Sequence, residues 1–452
     1  MMDKPIRVLT PTCTLGYGFA ADAFERAMSM HPDVIAVDAG STDPGPHYLG
    51  SGEALVSDIS IRRELTVMIV SAQRAGIPVI VGSAGGAGTG THVDEVVRIV
   101  REIVASERLS LRLAWIYSDI PASLVADATG CGEVRDFEAG WELSADDART
   151  SHAIVAQMGH EPIVEALKAG ADVIIAGRAC DDSVIAAFPI WKGADPGLAI
   201  HMGKILECGA FSAEPHGTDV MMGVIDDTGF TLEPGSLKRR ASLTSVAAHT
   251  LYERENPFRQ AGPGHELDLS ACDFTQISDR EVRVTGSRFI AADDYWVKLE
   301  GARRRGYRTI TVAGVRCPTM IARIDILLAD AKAAALAYFE SPDLDVQFHV
   351  YGRDGVMRGL EPVRKSMSHE LGLVIEAVAH EQSLAHAAAH FISGTLLHVS
   401  FPGMFNTAGN LAFPYSPSEV DAGPVYEFSA YHLLKTASPT ALFPIHYEAL
   451  AS

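Results

Sequence analysis

The stretch Val34-Ile35-Ala36-Val37-Asp38-Ala39-Gly40-Ser41-Thr42-Asp43-Pro44-Gly45-Pro46-His47-Tyr48 sets the terms for the fold. A short, wholly apolar, β-branched run ends abruptly in an aspartate and a turn rich in Gly and Pro. An apolar run without alternation marks a strand covered on both faces, as in parallel sheets. Similar runs occur at Ile6–Thr10, Pro78–Gly82, Leu111–Tyr117 and Asp172–Ala176. Amphipathic segments such as Ile61–Ala75, ending before Gly76 and Pro78, and Val93–Ser106 lie between them. That βαβα order predicts an α/β fold: an N-terminal parallel, doubly wound, Rossmann-like sheet. Ligands of such sheets bind where the strands end. Loops 11–18, 38–48, 82–90 and 177–183 should therefore converge on one cleft.

Beyond about Ser242 the pattern changes. Short alternating runs at Glu281–Thr285, Trp296–Leu299 and Thr309–Ala313 read as antiparallel strands. A helical stretch follows at Met320–Phe339, then strand-like runs at Val346–Tyr351 and Leu371–Ala379, then a helix at Gln382–Thr395. The reading is two domains: an α/β domain over 1–255 and a smaller α+β domain over 256–452. The Pro/Gly-rich stretch Phe401–Val425 is too long for a turn and should fold over a cleft or a neighbouring subunit, which points to a homo-oligomer.

Composition narrows the function. The chain has 452 residues, 47% apolar and 21% charged, the balance of a globular protein. A net charge of −20 repels nucleic acid and anionic membranes, so neither is expected as a partner. The first residues pass straight into a strand-like run, and no stretch reaches the roughly 20 apolar residues of a membrane helix. The six cysteines have no metal-finger spacing and read as reduced thiols, with the cytoplasm as the expected compartment.

The loops carry the chemistry. Gly82-Ser83-Ala84-Gly85-Gly86-Ala87-Gly88-Thr89-Gly90 lacks the spacing of a dinucleotide or phosphate-loop fingerprint, so no nucleotide cofactor is expected. Its amides, with Ser83, Gly85 and Gly86, could hold a substrate carboxylate, or the loop could be a tight strand-to-helix connection. Asp38 and Asp43 flank a rigid Pro-Gly turn. They could bind a hard cation such as Mg²⁺ or Mn²⁺ or divide acid and base roles, with Tyr17 nearby to contact substrate. Asp43 could equally cap the turn. Arg178 follows the fifth strand, where its guanidinium could grip a carboxylate or pair with Asp181 or Asp182.

Asp195 through Gly209 reads as one helix, with Asp195 as N-cap and Pro196 first. His201, Lys204 and Cys208 fall along one border of its apolar stripe and Glu207 on the opposite face. His201 and Lys204 are the candidate proton donors; a core-bordering histidine is the alternative. His386 and His390, one helical turn apart, have metal-binding spacing but no HExxH and no evident third ligand.

These residues also resemble a family. The 37–46 and 82–86 runs, Ala176-Gly177-Arg178-Ala179, His201–Ala210, Ser245–Glu253, Val284–Phe289 and Val297-Lys298-Leu299-Glu300-Gly301-Ala302 resemble the acyclic terpene utilisation (AtuA-like) family, in the same order over about residues 5–340. The resemblance implies catabolism of branched acids. It also implies lyase chemistry on a 3-hydroxy-3-alkylglutaryl-CoA in the archetype, and a small partner protein. The combined expectation is a lyase, hydro-lyase or carbon–carbon, acting on a small hydroxylated or unsaturated carboxylic acid. Asp38, Asp43, His201 and Lys204 would be catalytic, and Tyr17, Ser83, Gly85, Gly86 and Arg178 would bind substrate. A hydrolase or isomerase on a similar acid, or a binding subunit active only with its partner, is the alternative.

Overall fold

The computed structural model describes residues 4–42, 44–138, 140–252, 256–363, 368–405 and 409–451. The chain forms two compact units, Met1–Arg303 with Phe428–Ser452, and Arg304–Glu427. The division thus falls at 303/304 and 427/428, not at 255, and the last residues return to the first unit.

The first unit is built on a ten-stranded sheet. At its centre Ile6–Thr10, Val34–Asp38, Val79–Gly82, Val173–Ala176 and Ser110–Ile116 lie side by side, all parallel. The flanks are antiparallel: Met221–Asp226, Gly229–Pro234, Val282–Thr285 and Asp273–Gln276 on one side, Ile445–Ala451 on the other. The sheet is therefore mixed, which corrects the expectation of a parallel one. Two of the flank pairings, Met221–Asp226 with Gly229–Pro234 and Asp273–Gln276 with Val282–Thr285, are antiparallel neighbours in sequence, which need no crossover helix.

The central strands are apolar throughout because both faces are covered. Val8, Ala36, Ile80 and Ile174 pack on one face with the helices Glu161–Lys168, Asp181–Trp191 and Pro196–Leu206. Leu9, Ile35, Val37, Val81 and Ile175 pack on the other with Ala21–Ser29, Asp58–Ala75 and Gly90–Glu107. A three-stranded antiparallel sheet, Arg259–Gly262, His265–Asp268 and Arg288–Ala291, completes this unit together with shorter pairings.

In the second unit, Asp345–Tyr351, Leu371–Ala379 and residues 307–315 form an antiparallel sheet. The helices Ile324–Phe339 and Gln382–His398 bury Leu328, Ala331, Ala388 and Ile392 in its core. The runs at Trp296–Leu299 and Thr309–Ala313 prove to be parts of one strand, Tyr295–Val315. Within the 401–425 stretch, a strand begins at Glu419. None of the six cysteines is joined in a disulfide. Among the described residues, no helix is long and apolar enough to cross a membrane.

Candidate functional site

The parallel strands bring their carboxyl ends to one edge, and the loops that follow are tied to one another. Leu15 N–H donates to the Asp38 carbonyl, Ala39 N–H to Gly82 and Ser83 N–H to Gly177, each at 3.0 Å. The expected convergence of the four loops is what the backbone forms. Gly16 and Gly18 N–H groups anchor the first loop to the Glu64 carboxylate at 2.7 and 2.8 Å.

Arg178 is buried here, and its guanidinium is already occupied. Nε donates to Glu300 Oε2 at 3.1 Å and Nη2 to Glu300 Oε1 at 3.3 Å. Nη2 also reaches Thr42 Oγ1 at 2.9 Å and Nη1 reaches Ser83 Oγ at 3.2 Å. Lys298 Nζ lies 2.9 Å from Glu300 Oε1, and the Thr42 hydroxyl donates to the same oxygen at 2.9 Å. Burial alone would raise the Glu300 pKa, yet Arg178 and Lys298 hold it at about 2. This is a buried ion-pair network in which Arg178 and Lys298 share one carboxylate. The expected carboxylate clamp is thus a clamp on the protein's own Glu300, with Asp181 Oδ1 at 3.9 Å as its weaker partner.

The glycine-rich loop serves the same framework. A Cβ at Gly85 (φ +68°) would lie 2.6 Å from the His92 Cβ, and one at Gly86 (φ +107°) 2.6 Å from the Leu55 Cβ. These glycines permit close packing, the connection reading of this loop. Ser83 is buried, receives Arg178 Nη1 and the Ala179 N–H, and so orients the network.

Beside this network sit two carboxyls without such support. Asp38 ends the second strand, is 3% exposed, and accepts the Gly40 N–H on Oδ2 at 2.8 Å. Its Oδ1 is buried with no hydrogen-bond partner. Burial first, then the charge of Asp181, pushes its pKa up to about 7. Asp181 opens the helix Asp181–Trp191, and its Oδ1 is also buried without a hydrogen-bond partner. Although 41% of its side chain is exposed, desolvation around the carboxyl, then Glu207, push it to about 7 against Arg178 and Lys204. The buried hydroxyls of Thr10 and Thr12, on the first strand and its loop, likewise lack partners. Buried polar atoms are ordinarily hydrogen-bonded, so these four oxygens without hydrogen-bond partners, near the ends of parallel strands, are the candidate ligand contacts of this edge.

The helix Pro196–Leu206 forms as its sequence requires, with the Asp195 carboxylate accepting the Leu198 N–H at 3.0 Å. It is buried on all sides, so its polar residues find internal partners. His201 lies between Ser287 Oγ at 2.7 Å and Thr250 Oγ1 at 3.0 Å, edge-on to Phe230. Burial pushes its pKa down to about 3. A neutral imidazole with both nitrogens engaged by internal hydroxyls fits the core-bordering histidine that was the alternative to a proton donor at His201. Lys204 Nζ binds Glu207 Oε1 at 2.6 Å, both side chains being buried. Residues three apart on a helix are neighbours, which is why Glu207 joins Lys204 instead of the opposite face.

Tyr17 is 51% exposed on the first loop. Asp43 lies outside the described residues. Among the described residues, no group of three or more His, Cys, Asp or Glu side chains is placed to hold a metal ion, so Asp38 has no metal-ligand set among them.

Asp181, Glu207, Lys298 and Glu300 were not singled out from the sequence as site residues. Glu300 and Lys298 did carry a signal: they stand in the 297–302 run that resembles a family motif. The family itself is now shown. The acyclic terpene utilisation family protein AtuA model matches residues 57–414. The chain belongs to that family. The match starts later and ends later than the resemblance over about 5–340, and takes in Arg178, Asp181 and Glu300 of this AtuA-family chain but not Asp38. No curated protein and no solved structure matches it.

Proposed function

We propose that this AtuA-family chain is an acid–base enzyme, a lyase that removes or adds a small neutral fragment on a hydroxylated or unsaturated carboxylic acid. The observation that carries the reading is the pair Asp38 and Asp181. Burial pushes each of them up to about 7, so near neutral pH each carboxyl is poised between its protonated and ionised forms. A hydro-lyase needs that distribution: the ionised carboxyl takes the proton beside the substrate carboxylate, and the protonated one delivers its proton to the departing hydroxyl. The reverse step adds water through the same two groups.

Arg178 is consumed by Glu300, so the substrate carboxylate would be met elsewhere. The buried hydroxyls of Thr10 and Thr12 are the groups suited to it, while Lys204, held by Glu207, adds its charge to the field at Asp181. Positive charge there would stabilise the enolate formed when the proton leaves.

The test is proton exchange in D₂O across a panel of small hydroxy- and unsaturated di- and tricarboxylates, followed by NMR, with ultraviolet absorbance reporting the conjugated product. The wild-type protein should exchange and dehydrate one of these acids; Asp38→Asn and Asp181→Asn should do neither. Undiminished exchange in both variants would sink the proposal.

A further inference from the structure

In the second unit, His386 and His390 lie one turn apart on the helix Gln382–His398, over the strand Glu419–Thr436. His386 Nδ1 is 3.0 Å from Asp421 Oδ1, and His390 Nδ1 is 3.3 Å from Glu419 Oε1. Glu419 and Asp421 are two residues apart, so both carboxylates project from one face of the strand. Each is fixed in turn. Asp421 Oδ1 accepts from Thr309 Oγ1 at 2.7 Å and Gln382 Nε2 at 3.2 Å. Glu419 accepts from Ser393 Oγ and Ser418 Oγ, each at 2.8 Å.

A carboxylate facing Nδ1 selects the tautomer with its proton on Nδ1 and leaves the Nε2 lone pair available. Both rings carry this arrangement, and their side chains are 46% and 73% exposed. It is the carboxylate–histidine relay that orients imidazoles toward a metal. Histidines at i and i+4 on one helix face can share one ion.

We infer that His386 and His390 form a bis-imidazole site for a borderline divalent cation such as Zn²⁺, Ni²⁺ or Cu²⁺, bound through both Nε2 atoms with solvent completing the shell. Asp421 and Glu419 are positioning residues behind the ligands. With two protein ligands instead of three, the site is open and exchangeable, suited to sensing or accepting a metal more than to a closed structural centre.

Isothermal titration of tag-free protein with Zn²⁺, and separately with Ni²⁺, at neutral pH tests this. One site per chain is expected. His386→Gln and His390→Gln should each weaken it at least tenfold, while His380→Gln leaves it unchanged. Asp421→Asn and Glu419→Gln should each weaken it about tenfold, the usual effect of removing a partner behind a metal-bound histidine. Circular dichroism verifies that each variant is folded, and His390→Gln, on the more exposed ring, is the least disturbing. Undiminished affinity in the His386→Gln/His390→Gln double variant would overturn the site. Undiminished affinity in both carboxylate variants would overturn the positioning role.

Discussion

Glu300 and Asp38 are both buried carboxyls in the field of Arg178, yet their proton affinities diverge. Glu300 is met by two cations, a threonine hydroxyl and a glutamine amide, and stays ionised down to about pH 2. Asp38 accepts one backbone N–H and lies in the fields of Arg178 and Ser83, but burial and the charge of Asp181 outweigh these, and its pKa rises to about 7. Burial is common to both; compensation is not. Buried charge with matched partners is scaffold, whereas buried carboxyls left short of partners are poised to exchange protons at neutral pH.

The largest expected effect separates the two directly. Glu300→Gln strands Arg178 and Lys298 as buried cations and should cost about 3–5 kcal/mol of stability, read by equilibrium denaturation. A loss under about 1 kcal/mol would mean the network is not holding the edge together. The same comparison fixes opposite pH signs. Glu300 has its pKa lowered from 4.5 to about 2, so its stabilisation is complete above pH 4.5 and is lost as pH falls through 2. Asp38 has its pKa raised from 3.8 to about 7, so the folded state holds the extra proton and stability declines as pH rises from about 4 through 7.

Asp38→Asn should therefore cut turnover by about 10²–10⁴-fold while leaving the protein as stable at pH 8 as wild type, or more so. Thermal melts of both proteins at pH 5 and pH 8 read this; a variant destabilised most at pH 8 would place Asp38 with the scaffold. Activity of the wild type should follow a bell centred near pH 7, because the pair needs one proton in place and one absent. A rate that climbs without a falling limb would leave only one of the two carboxyls in the chemistry. The smallest effect is expected at Tyr17, half exposed and outside both groups: Tyr17→Phe should alter stability by under about 0.5 kcal/mol and leave turnover unchanged. A marked rise in KM would bring the first loop into substrate binding.

The strand-end loops were legible because each follows an unbroken apolar run, and the helix Pro196–Leu206 because Asp195 and Pro196 announce its start. The ten-stranded mixed sheet was not, since Ile445–Ala451 pairs with Ser110–Ile116 across more than three hundred residues of chain, and no local pattern encodes that partner. His201 misled for a related reason. On a helix covered on every side, a histidine is neutral and internally bonded, and that covering comes from residues 230, 250 and 287.

Periodicity, turn residues and strand order are local properties, and they already place the parallel centre of the sheet, the four converging loops and Asp38 at their edge. That Arg178 belongs to Glu300, that Lys204 belongs to Glu207 and that Asp181 acts on Asp38 emerges on folding alone. Charge pairing depends on distance and desolvation in space, and residues 178 and 300 acquire both only when the strand from Tyr295 is laid beside Ala153–Ala156 in the folded unit.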